Sequence, residues 1–87
     1  MKTYILYHPL THLFKIGRTI SVDQRIRSLN TGAGAQLRLL VTIRADVEMR
    51  LHDCFSHKRV DGEWFKLDRR ELDSIIGRFT YKGIDIH

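Results

Sequence analysis

The chain is short of most residues that mark an extracellular, membrane-spanning or multi-domain protein. Its 87 residues include a single cysteine, Cys54, so no disulfide can close within the chain. Proline occurs once, at Pro9, and the six glycines are dispersed, which leaves no linker and no low-complexity stretch. No apolar run of signal-peptide or membrane length follows Met1, and a reducing cytoplasm is the expected setting. This length leads one to expect a single domain over residues 1–87 with one modest core. Acidic residues are also scarce, with 10 Asp and Glu against 15 Lys and Arg, a formal net charge of +5. The first third sets Lys2, Lys15, Arg18, Arg25 and Arg27 against Asp23 alone, whereas the last third holds Asp61, Glu63, Asp68, Glu71, Asp73 and Asp85. A polyanion such as DNA or RNA is therefore expected to meet the N-terminal half.

What the chain does contain is a regular alternation of short elements. Thr3 to Tyr7 is apolar and aromatic in the manner of a buried strand, His8-Pro9 turns it, and Leu13 to Gly17 reads as its hairpin partner. Ser21 with Gln24 three positions on is a capping box, predicting a helix through Ile26 and Leu29 that ends near Asn30-Thr31-Gly32. Leu37 to Ile43 is a third, mostly buried strand. Asp46 is placed to cap a second helix whose apolar face is Val47, Leu51, Cys54 and Phe55. Trp64 to Leu67 predicts a strand or packed turn. Asp68 and Glu71 repeat the capping box before a helix bearing Leu72, Ile75 and Ile76, with Gly77 as its expected stop. The order β-β-α-β-α-β-α gives an α/β (α+β) class: a small mixed, mainly antiparallel sheet of three to four strands flanked by helices.

Five ordered pieces of this chain resemble the GIY-YIG nuclease superfamily. They are Lys15-Ile16-Gly17-Arg18-Thr19 after Tyr4, Arg25 in the next helix, Leu29-Asn30-Thr31-Gly32, the Glu48-Met49-Arg50-Leu51-His52-Asp53-Cys54-Phe55 helix, and Gly62-Glu63-Trp64-Phe65. The nearest likeness is to a phage-type branch that also takes in meiotically up-regulated gene products, and it runs from Thr3 to about Leu67. The resemblance implies a divalent-metal-dependent DNA endonuclease using Mg²⁺ or Mn²⁺, in which water attacks the phosphodiester. Glu48 falls where the superfamily places its metal-binding carboxylate, and Arg25 where its arginine meets the scissile phosphate. Tyr4 is the candidate general base or water-orienting group, with Tyr7 as its rival. Lys15 replaces the second tyrosine of the superfamily's name, and an ammonium there is expected to stabilise a Tyr4 phenolate. Arg18 sits where relatives place a lysine or histidine that interacts with the catalytic tyrosine, and as arginine it supplies charge but takes no proton. The late asparagine of many superfamily members has no counterpart, since the only asparagine is Asn30.

Around that set, His52 lies one helical turn after Glu48 and is a candidate for contact with a phosphate or a metal-bound water; packing against the sheet edge is its alternative. Arg27, Lys58 and Arg59 are candidate phosphate contacts. The cluster of His52, Cys54 and His57 fits no common zinc module. Two function classes remain: the endonuclease, and a catalytically inactive nuclease-like DNA-binding or accessory module built on the same fold. With no appended binding domain in the sequence, the resemblance implies a homodimer or a separate specificity subunit.

Overall fold

The computed structural model describes residues 1–34 and 36–87. Six strands are described, β1 (Lys2–Tyr7), β2 (Phe14–Thr19), β3 (Arg38–Ile43), β4 (Arg59–Asp61), β5 (Trp64–Phe65) and β6 (Ile84–Ile86), with three helices, α1 (Val22–Ala33), α2 (Glu48–Cys54) and α3 (Arg69–Phe79). They form one sheet in the order β4-β5-β2-β1-β3-β6, and every pairing between neighbours is antiparallel. The expected α+β class stands, with two more strands than the sequence pattern reveals. The added strands β4 and β6 are three residues each, too short to display a period-two pattern.

The sheet separates two cores. Ile5, Ile16, Val41, Ile43 and Phe65 from the strands pack with Val47, Leu51, Phe55, Leu67, Ile75 and Phe79 on the α2 and α3 side. On the other side a smaller cluster joins Tyr4, Leu6 and Leu37, with Ile26 and Leu29 of α1 laid against it. Alternation along β1 explains the division, since Ile5 and its neighbours Tyr4 and Leu6 project to opposite faces. A β-bulge extends it into β3: Ile5 pairs with Val41 but Leu6 pairs with Leu39, so Leu40 is the extra residue. The bulge lets Leu39 serve the small core and Val41 the large one, although two residues of a regular strand at that spacing share a face.

Local signals succeed at α3 and fail at α1 and α2, for reasons visible in the hydrogen bonds. At α3 the capping box closes in both directions: Glu71 N donates to Asp68 Oδ1 at 2.8 Å and Asp68 N donates to Glu71 Oε1 at 3.0 Å. At α1 the same pattern stays open, because Ser21 N already donates to Thr19 Oγ1 at 3.2 Å and Gln24 has no donor to reach back to. At α2 the cap expected from Asp46 is not formed: the N-cap falls on Val47, which no side chain caps, and strand β1 holds its amide instead. Buried Thr3 accepts from Val47 N at 2.9 Å and donates to Ala45 O at 2.7 Å, which fixes the entry to the helix. Gly77 does not stop α3; the helix runs on to Phe79, whose ring is buried in the large core. The glycine that does end a helix is Gly34, in left-handed conformation at φ 70° after α1. Cys54 is exposed beside Arg78 and is not part of the apolar face of α2.

Candidate functional site

The arrangement begins with a missing side chain. Tyr4 on β1 pairs directly with Gly17 on β2, and a Cβ at Gly17 would lie 2.4 Å from the Tyr4 hydroxyl oxygen. Only glycine lets the phenol lie across the neighbouring strand. It crosses beyond the stretch of β2 that β5 pairs, Phe14 and Lys15; at the next residue Ile16 N donates to Glu63 O at 3.0 Å and Ile16 O is bonded by His52 at 2.9 Å. The phenol, itself buried, thus reaches toward the unpaired end of β2.

From the α1 side, Arg25 Nε donates to the Tyr4 hydroxyl at 3.3 Å. Arg25 is exposed beyond that contact, and it also lines a depression with Thr19, Ile20, Ser21, Gln24 and Ser28. From the opposite side, the first turn of α2 brings Glu48, whose side chain is 15% exposed. A carboxylate suits that place, because the first turn of a helix favours negative charge. Arg18, the residue after Gly17 and so turned to the opposite, α2 side of the sheet by alternation, donates to Asp46 Oδ2 at 2.9 Å. Its Nε stands 4.0 Å from Glu48 Oε2, an ion pair without a hydrogen bond.

Electrostatics keep the Tyr4 phenol protonated. Burial pushes its pKa above the ordinary 10.0; the hydrogen bond and charge of Arg25 oppose this, and the charges of Glu63 and Glu48 add to the rise. Arg25 is held more firmly as a cation, chiefly by its hydrogen bond to Tyr4. Arg18 is likewise raised, first by its hydrogen bond to Asp46 and then by the charges of Asp46 and Glu48.

Lys15 is turned to a different partner from the one anticipated. Its ammonium meets Glu63 at 3.1 Å and lies 5.2 Å from the Trp64 ring centre, and the cation that acts on the Tyr4 phenol is Arg25. Tyr7 lies on the other face of β1 from Tyr4 by alternation; its hydroxyl bonds to His12 Nδ1 at 2.9 Å and its ring packs on Phe14. His52 has both ring nitrogens engaged. Arg59 can only donate, so Nδ1 accepts from it at 3.3 Å, and Nε2 must then donate to Ile16 O at 2.9 Å. These bonds fix the His52 ring, which packs edge-on against Phe65, the sheet-edge alternative noted above. Arg59 additionally lies over the Phe65 ring, and Lys58 pairs with Glu71 at 3.4 Å, so both candidate phosphate contacts have protein partners. Arg27 is exposed on α1.

The structure therefore brings Tyr4, Arg25, Arg18 and Glu48 around the unpaired end of β2, with Lys15 beside them through Glu63. Asp46 and Glu63 are the site neighbours that sequence reasoning missed. Asp46 resembled a helix cap and Glu63 part of an aromatic motif, and no local pattern distinguishes a counter-ion from either.

Comparison with curated proteins and with solved structures gives no match. The family model that matches is that of the T5orf172 domain, over residues 2–80. This corrects the resemblance drawn from the sequence: the family is T5orf172 and not GIY-YIG. T5orf172 is a nuclease-like domain family, and a nuclease-like domain implies nucleic-acid binding. No helix among the described residues is long and apolar enough to cross a membrane. With its matched span taking in every strand but β6 and all three helices, the chain belongs to the T5orf172 domain family.

Proposed function

We propose that this chain is a divalent-metal-dependent DNA endonuclease that nicks or cleaves phosphodiester bonds by attack of water. The observation that carries the reading is the Tyr4 hydroxyl lying over Gly17 of β2 in a hydrogen bond from Arg25, with the Glu48 carboxylate, across the sheet beside Arg18, near enough for its charge to act on the phenol. Glu48 is the residue that would hold Mg²⁺ or Mn²⁺. Among the described residues no three His, Cys, Asp or Glu side chains converge, so the protein's donor set is that one carboxylate, completed by water and phosphate oxygens. Such a set fits a hard cation that is held partly by its substrate. When bound, the cation supplies Lewis acidity and positive charge at the scissile phosphate.

The chain's own residues divide the remaining work. Arg25 keeps guanidinium nitrogens beyond the one bonded to Tyr4, and these neutralise charge developing on the phosphoryl oxygens. Tyr4, protonated at neutral pH, orients the attacking water through its hydroxyl. As the water oxygen bonds to phosphorus, the bond from phosphorus to the leaving sugar oxygen breaks, the water's proton passes to solvent and the leaving oxygen takes up a proton. Base catalysis by the Tyr4 phenolate enters as pH rises or as added positive charge lowers its pKa. Lys15 and Arg18 set the field around this pair through Glu63 and Asp46 and transfer no proton. A second reading, a nuclease-like DNA-binding module that does not cut, draws on the raised phenol and on Lys15 and Arg18 already being paired.

Conversion of supercoiled plasmid to nicked or linear form, with Mg²⁺ or Mn²⁺ at fixed low salt, separates the two. Wild type is expected to cut, and Glu48→Ala and Arg25→Ala to lose cutting while still binding DNA. Salt-sensitive binding by wild type without any cutting supports the second reading; neither cutting nor binding sinks both.

A further inference from the structure

Resting on the reading of Glu48 as the cation's ligand, we infer that Asp46 is a positioning residue that draws the Arg18 guanidinium away from Glu48 and so keeps that carboxylate available. The geometry is unequal in a way that calls for a cause. Arg18 makes a hydrogen-bonded ion pair with Asp46 at 2.9 Å, but its nearest approach to Glu48 is 4.0 Å, outside hydrogen-bond range. A guanidinium beside the carboxylate of a side chain that is only 15% exposed has a strong preference for forked, two-bond pairing. Left alone with Glu48, Arg18 would close on it and compete directly with a divalent cation for the same oxygens. Asp46 is 39% exposed and two residues before Glu48. It therefore offers the guanidinium an alternative partner at the entry to α2.

Asp46 is also free of the task its sequence position suggests. The start of α2 is fixed by Thr3 Oγ1, and Asp46 makes no cap. Its place on the loop is held by the same threonine, which binds Ala45 O and Val47 N on either side of it. The carboxylate is thus aimed from a backbone pinned to the buried strand β1. This makes Asp46 a fixed anchor and Arg18 the movable member, since an arginine has the longer and more flexible stem.

The test measures binding of Mn²⁺ alone to the intact chain, by the loss of the free-ion paramagnetic resonance signal, for wild type, Glu48→Ala, Asp46→Asn, Asp46→Glu, Arg18→Gln and the Asp46→Asn/Arg18→Gln pair. Asp46→Asn is expected to weaken Mn²⁺ binding about tenfold, the scale typical of residues that orient a metal's ligands. Asp46→Glu should retain most of the affinity. The decisive variant is the pair, because without the guanidinium nothing clamps Glu48. It should bind as Arg18→Gln alone does. Wild-type affinity in Asp46→Asn, or an equal loss in the presence and absence of Arg18, overturns the positioning role. No difference between wild type and Glu48→Ala overturns the reading of Glu48 itself, and this proposal with it. Circular dichroism of each variant guards against a loss that reflects unfolding.

Discussion

The two faces of the sheet are built on unequal cores. Among the described residues, the α2 and α3 side joins eleven buried residues from four strands, two helices and the segments between them, whereas the α1 side has three, and one of those, Tyr4, is a candidate reactive group. The difference teaches where this fold can carry chemistry. A side that contributes most of the buried apolar area must keep its shape, while the thin side tolerates a polar hydroxyl and an arginine against it. The candidate site sits where the thin side meets the unpaired end of β2, and Glu48, Arg18 and Asp46 reach it from the well-packed side.

The largest effect that sharpens this contrast is catalytic. Arg25→Ala on the thin side is expected to lower plasmid nicking by about 100-fold or more, the scale of a lost transition-state contact, with little change in stability. On the other side, Phe65→Ala removes a fully buried ring and should cost about 3–5 kcal/mol in urea unfolding. Equal stability losses from Phe65→Ala and from truncating Leu6, on the α1 side, would erase the contrast. Between these lies Gly17→Ala. Its Cβ would overlap the Tyr4 hydroxyl, so the phenol must shift, and about 1–3 kcal/mol of stability should be lost together with most of the nicking.

The smallest expected effect is a pH dependence. Because the folded-state pKa of Tyr4 lies above its ordinary 10.0, the folded protein retains a proton that the unfolded chain releases. The associated stability is complete below about pH 10 and declines as pH rises through the folded value. Tyr4→Phe should flatten that alkaline decline in thermal melts. An unchanged alkaline slope in Tyr4→Phe would place the titrating group elsewhere.

The sequence was legible where a residue's task is local. Asp68 and Glu71 form the capping box that their spacing predicts, and the hairpin of β1 and β2 follows from its apolar runs. It was misleading where a distant residue had already met the need. Ser21 and Gln24 carry the same box, but Thr19 satisfies the Ser21 amide; Asp46 is a capping residue type, but the N-cap falls on Val47, whose amide is held by Thr3, more than forty residues earlier. Gly77 looks like a helix stop, but the burial of Phe79 two residues later carries α3 past it. For the candidate site, the residue types were readable, whereas their place on the sheet and their pairing were not. Lys15 turns to Glu63 and Arg18 to Asp46 because neighbouring strands and loops bring carboxylates there, and no spacing within the chain encodes that. The bulge at Leu40 is equally invisible, since an apolar run of Leu39, Leu40 and Val41 suits either register.

The most direct test of the account pairs two readouts on one variant, Arg25→Ala: the urea midpoint of unfolding and the rate of supercoiled plasmid nicking with Mg²⁺. The account predicts a midpoint close to wild type with nicking reduced by about 100-fold or more. Nicking that persists at the wild-type rate, or a loss of nicking that only tracks a collapse of the fold, would contradict it.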